Sequence, residues 1–229
     1  MLYLVADPAV MSLLERLNPN ARSLHTYYEV GEDRRRAYAA ITEHILERVR
    51  AGANVCAAFY GHPGAFVRPS HDAVALARSE GFPARMLPAV SAEDCLFADL
   101  GVDPGRTGCQ SYEATDFLLR DRRIDVSAAL ILWQVGVIGN LAYAPEGDTS
   151  QVAVLVERLL RDYPADHGIV LYEASLYPVC DPVIEHIPLC ELADADISPM
   201  STLYLPPAEV RPPNPLVAAA FRIGTDEGG

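Results

Sequence analysis

A guanidinium and a phenol stand four residues apart at Arg34 and Tyr38, preceded by Tyr27 and Tyr28, with Arg35 and Arg36 between them. Residues at i and i+4 share a helix face, so the pair meets if the helix expected over 37–50 starts early. A positive charge beside a phenol favours the phenolate and lowers its reference pKa of about 10. Such a pair can take a proton. The same residues also suit a solvated basic helix start with an amphipathic tyrosine at its edge. Eleven tyrosines against six phenylalanines favour a site that is both apolar and hydrogen-bonding, where polar-tipped rings are preferred.

A second cluster is Phe59-Tyr60-Gly61-His62-Pro63-Gly64. It ends an apolar run over 55–59 that reads as a buried strand. Ser70 reads as the cap of a helix over 72–79, with Gly81 after it. A strand, a loop of small residues and a helix are how an open α/β sheet builds a ligand crevice at the carboxyl ends of its strands. Glycine lets a ligand approach the backbone. Other loops of this composition only turn the chain.

His71 with Asp72 and Asp166 with His167 are possible acid–base pairs, but their neighbours read as solvated helix or loop. No serine sits in a nucleophile elbow, and no G-x-G-x-x-G occurs. All eighteen basic residues are arginine, so lysine-based Schiff-base or phosphate-loop chemistry is excluded. The five cysteines are odd in number and scattered. They read as free thiols in a reducing cytoplasm, three of them as small core residues. The six histidines show no zinc spacing, so no metal is expected.

The chain has 229 residues, half of them apolar, and a formal charge of −13. That is enough for one large or two small domains with a sizeable core. The acidity argues against nucleic acid, which needs a basic surface. No apolar run reaches membrane-spanning length and no signal peptide begins the chain. A cytoplasmic protein is expected.

Strand-like segments at 1–6, 55–59, 85–87, 128–135, 169–173, 185–189 and 202–205 alternate with helical ones at 11–17, 37–50, 91–100 and 151–161. The alternation predicts an α/β fold. Ser91 is the expected cap of its helix, with Glu93 and Asp94 in the first turn and Gly101 beyond the end. The charged stretch 120–127 separates an amino-terminal lobe (1–120) from a carboxy-terminal lobe (121–207). Residues 208–229 read as a mobile tail, in which 216–221 is an apolar stretch suited to docking or disorder.

Tyr60-Gly61-His62-Pro63-Gly64, Leu87 to Asp94, Trp133-Gln134-Val135-Gly136 and Ser201-Thr202-Leu203-Tyr204 come in the order seen in the tetrapyrrole methylase superfamily, which this chain resembles. Over 59–118 it is most similar to the borosin peptide α-N-methyltransferases. The resemblance, over about residues 2–207, implies a two-lobed class III methyltransferase fold with S-adenosylmethionine in the cleft. It implies catalytic positions at Arg34, Tyr38 and Tyr60, with Tyr28 in support. It implies cofactor contacts at Tyr60, His62, Ala65, Ser91, Ala92, Gln134, Ala174, Ser201 and Thr202. Ala65 stands where the pattern commonly has valine. Family members begin with a strand and a Gly-rich turn ahead of the segment that starts here at Met1, so the first strand is expected to be absent. The resemblance further implies a homodimer that methylates a separate precursor peptide. A tetrapyrrole or other small-molecule acceptor, and a non-catalytic homologue, stay open.

Overall fold

The apolar runs become the middle strands of two sheets. The computed structural model describes residues 1–223 apart from 6, 144 and 178. In chain order the elements are β1 (Leu2–Leu4), α1 (Pro8–Leu17), β2 (Arg22–Ser23), α2 (Arg34–Arg50), β3 (Ala57–Phe59), α3 (Arg68–Ser79), α4 (Ala92–Leu100), α5 (Pro104–Thr107), β4 (Cys109–Glu113) and α6 (Ala114–Leu119). They continue as β5 (Ala129–Trp133), α7 (Val152–Leu159), β6 (Gly168–Glu173), β7 (Val183–Pro188), β8 (Thr202–Leu205) and α8 (Pro215–Phe221).

β1, β2 and β3 form a parallel sheet in the order β2-β1-β3. The other sheet runs β4-β5-β8-β6-β7, with β4 and β5 parallel and the remaining pairs antiparallel. Side chains alternate across a strand. Leu130, Leu132, Ile169, Leu171, Leu203 and Leu205 therefore share one face, against α7 and Phe117. Ile131, Trp133, Val170, Tyr172 and Tyr204 share the other, against Leu96 of α4. Both faces are covered, so β5 has no polar alternation to show. Each such side chain contributes about 1.5–3 kcal/mol by leaving water.

In the smaller sheet, Leu2 and Leu4 pack with Leu24, Ile41, Ile45 and Ala73. Tyr3 and Val5 turn the other way onto Ala21, with Met11 and Leu14 of α1 against them. Ile41 and Ile45 are one turn apart, so α2 seals this sheet with a single stripe.

The fold class agrees with the sequence, and several boundaries do not. Residues 85–87 form no strand. Among the described residues no strand pairs with them, so their backbone joins no ladder. β3 is correspondingly the edge of its sheet. Ser70 is not a cap: α3 starts at Arg68, and Ser70 is buried in its first turn. Its hydroxyl donates to the carbonyls of Pro63 and, at 2.7 Å, Val67. Three core cysteines were expected, but Cys56, Cys180 and Cys190 are exposed and only Cys95 and Cys109 pack against apolar neighbours. All five are free thiols.

β2, β4 and α6 were not foreseen, because their composition is mixed and tertiary pairing decides them. β4 draws the larger sheet across residue 120. In the expected tail, α8 is a helix capped by Asn214, with Ala218 buried; residues 224–229 lie outside the described residues. Among the described residues no helix is long and apolar enough to cross a membrane.

Candidate active site

α2 begins earlier than its apolar stripe. Asp33 caps it by accepting from the backbone N–H of Arg35, so Arg34 is the first helical residue and Tyr38 lies one turn on. Three guanidiniums in this turn oppose the helix dipole. Two are neutralised: Arg35 pairs with Asp33 at 2.5 Å and Arg36 with Glu32 at 3.0 Å. Among the described residues Arg34 pairs with no carboxylate. Its Nη2 donates to the carbonyl of Asn140 at 2.7 Å. The charge left at the mouth of α2 is therefore Arg34's, and it suits a developing anion.

Arg34, Tyr38 and Gln134 line one cavity of about 520 Å³, together with Phe66, Glu113, Asn140 and Leu141. Tyr28 stands edge-on to Tyr38, with ring centroids 6.3 Å apart, and 5.1 Å from Tyr143. Arg34 also faces a second cavity of about 390 Å³ with Tyr28 and Tyr143.

Burial pushes the Tyr28 hydroxyl well above the ordinary phenol range; Tyr38 and Tyr60 reinforce this and Arg34 opposes it. The Tyr60 hydroxyl is also raised, first by the protein crowded around it and then by Tyr38, again against Arg34. Tyr60 is nonetheless 64% exposed as a residue. At these two phenols desolvation outweighs the guanidinium, opposite to the simple charge argument. Both are neutral donors near pH 7.

The Tyr60 loop is held from behind. His62 Nδ1 accepts from the Gly64 N–H at 2.9 Å, and His71 Nε2 contacts the Gly64 carbonyl at 2.9 Å. Gly61 has φ 63°, a left-handed turn that glycine takes without strain. A Cβ there would lie 3.9 Å from the Val90 carbonyl, so the loop reaches the start of α4. Hydrogen bonds from the Ser91 backbone N–H and hydroxyl hold the Asp94 carboxyl below its usual range, with His62 a smaller contributor. Ser91 and Asp94 form a reciprocal capping box, which fixes Ser91 and Ala92 beside that loop.

The remaining expected residues meet at one end of the larger sheet. Gln134 follows β5 with φ 60°, strained for a residue with a side chain. Ala174 follows β6. Ser201 precedes β8 and Thr202 begins it, opposite Tyr172. The Ser201 hydroxyl donates to Glu173 Oε1 at 2.7 Å. The sheet end, the Tyr60 loop and the α4 start thus present small residues at 65, 92 and 174. Arg34, Tyr38 and Gln134 share a cavity; Tyr28, Tyr60, His62, Ala65, Ser91, Ala92, Ala174, Ser201 and Thr202 do not line it.

His71 and His167 are tied to backbone carbonyls, the latter to Pro206 at 3.0 Å. Sequence reasoning missed Asn140, Tyr143 and Phe66. The abundance of tyrosine pointed towards Tyr143 only in kind, and nothing local marked Asn140. Among the described residues no group of three or more His, Cys, Asp or Glu is placed to hold a metal ion.

Comparison with known proteins gives this geometry a setting. The family described as Tetrapyrrole (Corrin/Porphyrin) Methylases matches residues 4–177. The chain is 46% identical over 217 residues to the methyltransferase/ribosomally synthesized cyclic peptide gymnopeptides precursor of Gymnopus fusipes, covering 93% of this chain and 52% of that protein. It is 45% identical over 210 residues to the corresponding omphalotin A precursor of Omphalotus olearius, covering 90% and 50%. The chain therefore spans about half the length of the curated relatives it matches. Among solved structures it resembles uroporphyrin-III C-methyltransferase from Thermus thermophilus complexed with S-adenosyl homocysteine, at TM-score 0.58 and 16% identity, covering 90% of this chain and 84% of that one. The methyltransferase CobJ gives TM-score 0.56 at 15% identity, covering 93% and 97%. These likenesses show the fold.

Proposed function

This chain belongs to the tetrapyrrole methylase family, and from that premise we propose that it methylates backbone amide nitrogens of a ribosomally made peptide. The observation that carries this reading is the shared cavity of Arg34, Tyr38 and Gln134. It joins a proton-handling cluster to the strand ends where the fold places a ligand. The names of the relatives, which couple a methyltransferase to a peptide precursor, favour the peptide over a tetrapyrrole.

The donor is S-adenosylmethionine, which supplies an electrophilic methyl group when bound. The residues present fit it. Alanines at 65, 92 and 174 leave room, Tyr60 offers an open ring, and Gln134 holds an amide in a left-handed turn. His62, Ser91, Ser201 and Thr202 complete the set that would hold it, several of them through their backbone, since the hydroxyls of Ser91 and Ser201 are already engaged.

An amide nitrogen is a weak nucleophile because its lone pair is delocalised into the carbonyl. Its proton must leave and the developing imidate oxygen must be stabilised. Tyr38 in its phenolate form takes the proton, beside Arg34, whose guanidinium pairs with no carboxylate among the described residues. Tyr28 and Tyr60 remain protonated, so they donate: Tyr28 with Arg34 to the imidate oxygen, Tyr60 to align donor and acceptor. One such preorganised donor is worth about 3–4 kcal/mol.

The same reading makes the chain a cytoplasmic homodimer acting on a separate precursor peptide. The test is to incubate the purified chain with S-adenosylmethionine and candidate precursor peptides, and to weigh both products. Mass gains in units of one methyl group on the peptide, located on backbone nitrogens by fragmentation, support the proposal. Gains on the chain itself place the acceptor within the same polypeptide. Cofactor binding without any peptide product, or methylation of a porphyrinoid alone, rejects it.

A further inference from the structure

Phe66 is the one bulky aromatic among the described residues with a left-handed backbone, at φ 56°. Such a residue keeps that conformation only where its surroundings over-determine it. Here they do. The Ser70 hydroxyl bridges the carbonyls of Pro63 and Val67, and the Ala65 N–H donates to the His62 carbonyl at 3.0 Å. The Phe66 ring rests on Trp133, with centroids 5.6 Å apart. Trp133 is itself buried and anchored by its indole N–H on Ser111 Oγ at 2.8 Å.

This clamp holds an aromatic ring out towards solvent: Phe66 is 52% exposed. Leu119 and Leu141 are also exposed, and all three line the cavity that holds Arg34 and Tyr38. An apolar strip therefore runs beside the proton-handling pair. In a peptide the side chain leaves the Cα bonded directly to the reacting nitrogen, about 1.5 Å away. A nitrogen presented to Tyr38 carries that side chain into the same cavity.

We propose that Phe66 is a specificity-determining residue, its ring forming the wall on which the apolar side chain of the methylated residue packs. This rests on the peptide reading above and adds to it the residue that selects the acceptor. Leu119 and Leu141 complete the strip. Shrinking the wall enlarges the space for that side chain, so the preferred acceptor residue grows.

The experiment uses the full chain, S-adenosylmethionine and synthetic peptides that differ at one acceptor residue: Ala, Val, Leu, Trp or Asp. Wild type is expected to favour Val over Leu and over Asp, the latter by about tenfold or more in kcat/KM, and to discriminate against Trp. Phe66→Ala and Phe66→Leu are expected to shift the optimum towards Leu and Trp, mainly through KM, with S-adenosylhomocysteine affinity changed by less than about twofold. A ranking unchanged in Phe66→Leu overturns the proposal, as does loss of cofactor affinity with the ranking kept. Where Phe66→Ala fails to fold, Phe66→Leu alone decides. Wild type that methylates none of the peptides overturns the peptide reading itself, an outcome distinct from turnover with an unaltered ranking.

Discussion

The Arg34 guanidinium donates to the carbonyl of Asn140 at 2.7 Å, across 106 residues of sequence. Around this bond the Arg34 N–H donates to the Leu141 carbonyl at 3.0 Å, and Gly31 and Glu32 exchange backbone hydrogen bonds with Tyr143. Asn140 is held in turn, its Oδ1 accepting from the Ala142 N–H at 2.8 Å. The loop after β5 thus positions the cation at the start of α2. Arg34→Lys keeps charge but loses the planar fork. It is expected to lower kcat by about 10²–10³-fold, the cost of one preorganised donor, with little change in S-adenosylhomocysteine affinity by calorimetry. Full turnover in that variant removes Arg34 from the chemistry.

Tyr38→Phe deletes one hydroxyl and keeps the ring edge-on to Tyr28. Cofactor binding is expected to persist while single-turnover methyl transfer slows by about 10²-fold or more, the scale of a lost general base. An unaltered transfer rate assigns the proton to another group.

Gly136 lies where no side chain fits. A Cβ would stand 2.1 Å from the Ser198 carbonyl oxygen and 2.6 Å from its carbon, both backbone atoms. Gly136→Ala is expected to destabilise by about 1–3 kcal/mol or more, as overpacking does, and to displace the turn that carries Gln134. Thermal melts and cofactor titration read the two effects separately. A variant that melts with wild type contradicts this close packing.

Asp33 is held at about 2, chiefly by the Arg35 guanidinium and then by the Arg35 backbone N–H. Its folded value lies below the unfolded reference of about 3.9. The cap's contribution is therefore present above about pH 4 and is lost as pH falls towards 2. Over that window wild type should lose stability more steeply than Asp33→Asn, measured by urea unfolding at each pH. Parallel pH curves for the two proteins rule out this linkage.

Much of the fold was legible because local rules and tertiary packing agreed. The uninterrupted apolar run at β5 could only be a strand covered on both faces, and Ser91 with Asp94 announced the cap that forms. Residues 85–87 have strand-like composition but pair with no strand among the described residues, so composition alone misled. Ser70 has the composition of a cap and is instead a buried tie for the Tyr60 loop.

The sequence by itself determined the residue types that can move a proton, their helical spacing at 34 and 38, the α/β alternation and the family resemblance. These depend on neighbours within a few positions or on the order of motifs. The tertiary structure alone decided that Arg34 is held by the Asn140 carbonyl, that burial raises the Tyr28 and Tyr60 hydroxyls against the pull of Arg34, and that Phe66 stands in the same cavity. Desolvation and long-range hydrogen bonding depend on what the folded chain brings together from distant positions, and no local pattern encodes them.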